Sequence, residues 1–95
     1  PEALIESATR AGYRSLGWVD GGRLAVGALA DFIAVSEETR RTAGTDRSQI
    51  VFAATGADVS DVVVGGEHLV AGGEHTRLGP IDPLLVEAMA LVRLP

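Results

Sequence analysis

Two histidines carry the only imidazole groups of the chain, and each follows two glycines and a glutamate. His68 comes after Glu67 and His75 after Glu74, so one four-residue pattern occurs twice. In one interpretation the four polar side chains converge on a divalent metal ion. In the other, the glycines make turns and the polar residues are exposed on short strands. A closed or catalytic zinc site needs a third ligand, and none is evident, so the second interpretation is favoured.

Three aspartates are the candidates for acid–base chemistry. Asp31, Asp58 and Asp61 lie at or near the start of predicted strands. Acid–base catalysis needs a pocket and displaced pKa values, and the sequence supplies neither. Asp58 is better explained as a residue that caps or turns the chain before a strand.

The motifs that reveal metal or nucleotide sites in a single sequence are absent. There is no H-x-H, H-E-x-x-H or C-x-x-C spacing, and no G-x-G-x-x-G or G-x-S-x-G. Gly12 and Gly17 have the spacing of a phosphate loop, but Trp18 stands where the lysine is required. The sequence therefore predicts no catalytic, cofactor-binding or metal-ligating residue in this chain.

Composition excludes several classes of protein. The 95 residues are 46% hydrophobic and 22% charged, which is typical of a globular protein and not of a disordered one. The net charge of -5 argues against nucleic acid, and Arg40 and Arg41, the only adjacent basic pair, are predicted to be solvated. With no cysteine, no leader-like start and no apolar run near the roughly 20 residues of a membrane span, we expect a cytoplasmic protein without a membrane partner.

Apolar periodicity predicts the order helix, strand, short helix, strands and helix. One amphipathic helix is predicted over residues 1–16, ended by Gly17. Residues 29–35 follow as a strand, buried on both sides because both of its faces are apolar. The other elements are predicted as a short helix at 48–55, strands at 59–64, 67–70 and 74–78, and a helix at 81–94.

This set of elements is too small to form a closed sheet. Three or four strands with Gly-rich turns leave open edges, which proteins normally pair or cover. The first helix has one apolar side and no partner within itself. We therefore expect strands outside this chain to complete the sheet.

Two stretches resemble the C-terminal part of amidohydrolase-superfamily enzymes. Residues 8–18, ATRAGYRSLGW, and 22–35, GRLAVGALADFIAV, are similar to the pattern A-T-x-x-G-A-x-x-L-G followed by G-x-L-x-x-G-x-x-A-D-hydrophobic. Residues 59–68, VSDVVVGGEH, are similar to a late V-x-x-V-x-V-x-G hairpin. Tyr13 departs from the pattern, since a small residue is commoner there. The resemblance covers nearly the whole chain.

The resemblance implies an α+β fragment. Residues 1–17 would be the terminal helix of a missing (β/α)8 barrel, residues 18–80 the C-terminal part of a composite β-sandwich domain, and residues 81–95 a C-terminal helix. A divalent metal, zinc or another, would activate water in the parent enzyme. Its ligands, histidines and one aspartate on barrel strands, would lie upstream of this chain. The implied partners are the missing N-terminal part of the same chain, with its barrel and N-terminal strands, and, by analogy with the superfamily's common dimer, a second copy of the protein.

Within the superfamily, residues 11–18 and 51–55 look most like formimidoylglutamate deiminase of histidine degradation, which converts N-formiminoglutamate and water to N-formylglutamate and ammonia. Guanine deaminase, S-adenosylhomocysteine-type deaminases and imidazolonepropionase have related tails and remain alternatives. Two further possibilities are a free-standing β-rich module that binds a partner through its sheet edge, and a separate subunit that completes another chain's barrel. In none of these cases is the 95-residue chain expected to be an enzyme alone.

Overall fold

A pair of short helices begins the chain, and a single antiparallel sheet follows it. The computed structural model describes residues 1–93. Within that range the elements are α1 (Glu2–Ala8), α2 (Arg10–Ser15), β1 (Phe32–Val35), α3 (Ile50–Ala53), β2 (Val59–Val64), β3 (Glu67–Ala71), β4 (Glu74–His75) and α4 (Asp82–Val92). Two 3-10 turns, Arg47–Gln49 and Gly56–Asp58, precede α3 and β2.

The predicted first helix is interrupted at Thr9, so the prediction of one continuous helix is wrong. The loop after α2 crosses the helix pair at this point. A Cβ added to Gly22 would lie 2.5 Å from the Thr9 carbonyl carbon, and Gly22 has a φ of 76°, which favours glycine. In addition, the Thr9 hydroxyl donates to the carbonyl of Ile5 at 2.6 Å, a bond that commonly bends helices.

The four strands lie in the order β1-β2-β3-β4, and all neighbours are antiparallel. Ile33 is paired with Val62, Val62 with Val70, and Val70 with His75, so one row crosses the whole sheet. The turn between β2 and β3 has φ values of 57° and 79° at its two glycines, as a two-residue hairpin of type I′ requires, and the next turn repeats this geometry. The prediction of β2 is confirmed at both ends.

Two strands are shorter than predicted because local contacts turn the chain. β4 ends at His75, whose ring Nδ1 accepts hydrogen bonds from the backbone N–H groups of Arg77 (3.2 Å) and Leu78 (3.0 Å). β1 begins at Phe32, since the N–H of Leu29 donates to the Asp20 carbonyl instead of to a strand. The short helix predicted at 48–55 is present as a 3-10 turn followed by α3.

The chain has almost no apolar interior of its own. Among residues 1–93 no hydrophobic side chain is buried, and Thr42 and Asp58 are the largest side chains that are. Ile33 in β1 is 57% exposed, so the prediction that this strand is buried on both sides is wrong for the chain by itself. The described residues place too little against either face of the strand to cover it.

The last helix, α4, is apolar around most of its circumference, with Glu87 as its one charged residue after the first turn. Asp82 lies in its first turn, where a carboxylate complements the helix dipole. Its exposed apolar side chains are Leu84, Leu85, Val86, Met89, Leu91 and Val92. A helix of this composition is normally covered on all sides. The predicted end at Leu94 lies outside the described residues, and none of the helices in the described range is both long and apolar enough to cross a membrane.

Candidate functional site

The most heavily hydrogen-bonded side chain in the described range is that of Asp58, which is 1% exposed at the start of β2. Arg41 Nε donates to both carboxylate oxygens, at 2.9 and 3.0 Å, and its Nη2 lies 2.8 Å from Oδ1. The backbone N–H of Thr55 and the hydroxyl of Thr39 donate at 2.7 and 2.8 Å. The Arg41 guanidinium, followed by the Thr55 N–H, holds the pKa of Asp58 far below its ordinary value, although burial acts in the opposite direction.

A second set of bonds fastens the loop that carries Arg41. Thr42 is fully buried, and its hydroxyl donates to the Ser36 carbonyl at 2.7 Å. The Ser36 N–H in turn donates to the carbonyl of Asp58 at 2.8 Å. We call this group the Asp58 clasp: Ser36, Thr39, Arg41, Thr42, Thr55 and Asp58. The clasp joins the loop after β1 to the start of β2. Because both carboxylate oxygens of Asp58 accept hydrogen bonds from protein donors, the clasp leaves no free base.

The expectations for Asp58 and for Arg41 were therefore both incomplete. Asp58 does turn the chain before a strand, as its sequence position indicated. Arg40 and Arg41 are both exposed, as predicted, but the Arg41 guanidinium also binds the buried carboxylate of Asp58. A weak signal was available in the spacing of Thr39 and Thr42, which is suited to a turn with inward hydroxyls.

Asp31 joins the helices to the sheet. Its Oδ1 accepts from the backbone N–H of Gly65 at 2.6 Å, and its Oδ2 accepts from the hydroxyl of Tyr13 at 2.8 Å. These bonds, the one from Gly65 first, lower the pKa of Asp31, and the same carboxylate raises the pKa of Tyr13. Neither group is free to transfer a proton to a substrate.

An open cavity of about 420 Å³ lies beside this contact, between the helix pair and β1–β2. Most of its wall is apolar, with Leu24, Phe32, Val62 and Val64 among the lining residues. A wall of this kind suits packing by apolar side chains. Tyr13 and Asp31 also line the cavity, and they are hydrogen-bonded to each other.

The two histidines take part in separate local contacts. His68 Nε2 lies 2.8 Å from Asp61 Oδ2, and both side chains are partly exposed. The pKa of Asp61 is lowered, first by the Ser60 hydroxyl and then by His68. His75 uses its Nδ1 to hold the turn after β4. In the part of the chain that the structure describes, no three His, Cys, Asp or Glu side chains are arranged to hold a metal ion.

The sequence and the fold both resemble those of known deaminases. The profile of the Amidohydrolase family matches residues 1–69. Two 5-methylthioadenosine/S-adenosylhomocysteine deaminases, from Bacillus cereus strain B4264 and Bacillus anthracis strain A0248, are each 34% identical over 80 residues, covering 81% of this chain and 18% of theirs. An adenosine deaminase from Xanthomonas campestris, solved with bound zinc, superposes with a TM-score of 0.78 at 28% identity, over 90% of this chain and 20% of its own.

These likenesses confirm the coarser expectations from the sequence. The superfamily and the α+β fold with a four-stranded antiparallel sheet are shown, and the chain spans about a fifth of the length of the relatives it matches. The composite β-sandwich, the three-part division of the chain and the resemblance to formimidoylglutamate deiminase remain predictions. Because the family profile covers the helix pair and most of the β1–β3 sheet, the chain belongs to the amidohydrolase family.

Proposed function

We propose that this chain is the C-terminal structural segment of a metal-dependent deaminase, to which it contributes strands and helices but no catalytic group. The observation that carries the proposal is the lack of any buried hydrophobic side chain among residues 1–93 in a chain that belongs to an enzyme family. Apolar surface of this extent is normally covered. The rest of the same protein, containing the barrel and the N-terminal strands, is the partner we propose to cover it.

The described residues do not fit a metal site. His68 and Asp61 form a pair without a third ligand, and His75 serves a turn. Zinc sites with an open coordination position use three protein ligands. The zinc that the family implies would therefore be held by the remainder of the protein, and no step of the reaction is assigned to this chain.

This assignment predicts that the histidines are dispensable for metal binding. In the full-length protein, His68→Gln combined with His75→Gln is expected to leave the zinc content per subunit and kcat unchanged, since each ring makes only local contacts. Metal analysis of the purified variant beside the wild type measures this. A fall in zinc content, with the protein still folded by circular dichroism, would show that the pair does bind metal.

For the substrate we propose N-formiminoglutamate, on the resemblance of residues 11–18 and 51–55 to formimidoylglutamate deiminase. The second candidate class is an aminopurine nucleoside, supported by the 34% identity to deaminases named for 5-methylthioadenosine and S-adenosylhomocysteine. Both reactions replace a C–N bond with a C–O bond and release ammonia. The two substrates differ in size and charge, and the residues that would distinguish them are proposed to lie outside this chain.

Ammonia release separates the two candidates. The full-length protein is expected to turn over N-formiminoglutamate with a kcat/KM at least about a hundredfold above that for either nucleoside, a ratio that polar recognition readily supplies. Removing the metal with a chelator should abolish the activity, and zinc should restore it. The reverse preference would establish the nucleoside class. Failure to release ammonia from any of the three substrates would remove the deaminase proposal.

A further inference from the structure

Helix α2 is attached to the sheet through one side chain and one loop, not through broad helix packing. The hydroxyl of Tyr13 donates to Asp31 at 2.8 Å, and Asp31 accepts from the N–H of Gly65 in the turn between β2 and β3 at 2.6 Å. The contact thus links α2, the residue before β1 and the first hairpin. Tyr13 is also where the sequence departs from the family pattern.

The loop after α2 closes around the same tyrosine. The N–H of Trp18 donates to the Tyr13 carbonyl at 2.9 Å. Gly21 is buried against the ring, and a Cβ added there would lie 2.2 Å from Tyr13 Cδ1 and 2.6 Å from Cε1. Such a distance is far inside van der Waals contact, so any larger residue at this position must displace the ring. We call Tyr13, Gly21, Asp31 and Gly65 the Tyr13 clamp.

Helix α1 has no comparable attachment in the described range. Its side-chain hydrogen bonds stay within the helix pair: Ser7 donates to Ala3, Thr9 donates to Ile5, and Glu6 pairs with Arg10. Leu4 and Ile5 are 48% and 39% exposed. The side-chain hydrogen bonds that connect the helix pair to the sheet therefore begin after the interruption at Thr9.

We propose that Thr9 is the hinge between the sheet of this chain and the barrel of the proposed full-length protein. The Tyr13 clamp makes α2 move with the sheet. In the competing arrangement α1 and α2 move as one unit. The hinge then lies at Gly17, where the predicted barrel helix ends. The inference rests on the proposed function only for the existence of the barrel, and it holds for either substrate. Its test measures local opening, so it fails or succeeds independently of any activity.

Native-state hydrogen exchange on the full-length protein, in increasing sub-denaturing urea, distinguishes the two arrangements. Residues that belong to one cooperative unit open together and share the same dependence on denaturant. Amides of residues 10–16 are expected to exchange with those of β1 and β2, and separately from those of residues 2–8. If residues 2–8 and 10–16 open together and apart from the sheet, the hinge is not at Thr9.

Variants test the clamp itself. Gly21→Ala is expected to speed exchange in residues 10–16 at least about fivefold, the factor that corresponds to losing one ordinary hydrogen bond, and to leave β3 unchanged. Gly56→Ala is the matched control, because an added Cβ there meets no atom within 4 Å and its φ is not positive. Equal effects of the two substitutions would overturn the proposal.

Two further variants guard against a general loss of folding in Gly21→Ala. Tyr13→Phe removes only the hydroxyl, and it should accelerate exchange in residues 10–16 in the same direction. In a Tyr13→Ala background, Gly21→Ala should have no additional effect, since the ring it would displace is gone. Additive effects of Tyr13→Ala and Gly21→Ala, or no effect of Tyr13→Phe, would show that the clamp does not hold α2.

Discussion

Produced alone, the 95-residue chain is expected to show no cooperative unfolding transition. Ordering the backbone costs about 1–2 kcal/mol per residue, and burial of apolar surface is the main term that offsets it. Since residues 1–93 bury no hydrophobic side chain, that offset is largely missing. Circular dichroism during urea titration, with size-exclusion chromatography at several concentrations, measures the outcome. A monomer with a sharp transition would show that the chain stands alone as a module.

The reciprocal deletion should be as severe. Without residues 1–95, the full-length protein is expected to lose soluble expression, because the surfaces proposed to cover Ile33 and α4 would themselves be exposed. Co-expression of the two parts as separate polypeptides is the control, and it should recover soluble protein. A truncated enzyme with normal stability and turnover would contradict the structural role proposed for this chain.

Asp58→Asn in the full-length protein is expected to lower soluble yield several-fold and to reduce the urea midpoint. The amide keeps the size of the side chain but replaces one accepting oxygen with a donor, which then faces Arg41 or the Thr55 N–H. Asp46→Asn is the matched control, since Asp46 is exposed and its side chain is hydrogen-bonded to Ser48 in the described range. Equal midpoints for the two variants would contradict a structural role for the clasp.

The stability that Asp58 contributes is expected to decrease in acid. The pKa of Asp58 in the fold lies below the value of about 4 that an unfolded chain has, so its carboxylate contributes stability above that pH. The contribution is lost as the pH falls through the folded pKa. The difference in midpoint between wild type and Asp58→Asn should therefore be constant down to about pH 5 and shrink below about pH 4. A difference that widens in acid would contradict this account.

Local signals were sufficient to predict the hairpins. Val59–Val64 is an apolar run closed by two glycines, and its bounds follow from residues adjacent in sequence. The Gly-Gly pairs indicate two-residue turns because each of their positions needs a positive φ. The family resemblance added what periodicity could not, namely that the chain belongs to the amidohydrolase family and spans about a fifth of the length of the relatives it matches.

Features that depend on residues distant in sequence were missed. The helix ends at Thr9 because Gly22 crosses it, and nothing in residues 1–16 signals that approach. Arg41 is paired because Asp58 is folded against its loop, a contact that no local pattern encodes. Burial was misjudged at β1 for a different reason: apolar residues on both faces indicated a strand covered on both sides, yet the described residues leave Phe32 and Ile33 exposed.

The sheet combines contacts that are close in sequence with one that is not. β2, β3 and β4 are joined by two-residue turns, so they can pair on the microsecond scale typical of hairpin formation. β1 joins them only after the long excursion between Ser36 and Asp58 has been closed, and loop closure of this kind slows folding. The Asp58 clasp holds the two ends of that loop together. Substitutions in the clasp should therefore slow the pairing of β1 with β2 and leave the rate of hairpin formation unchanged.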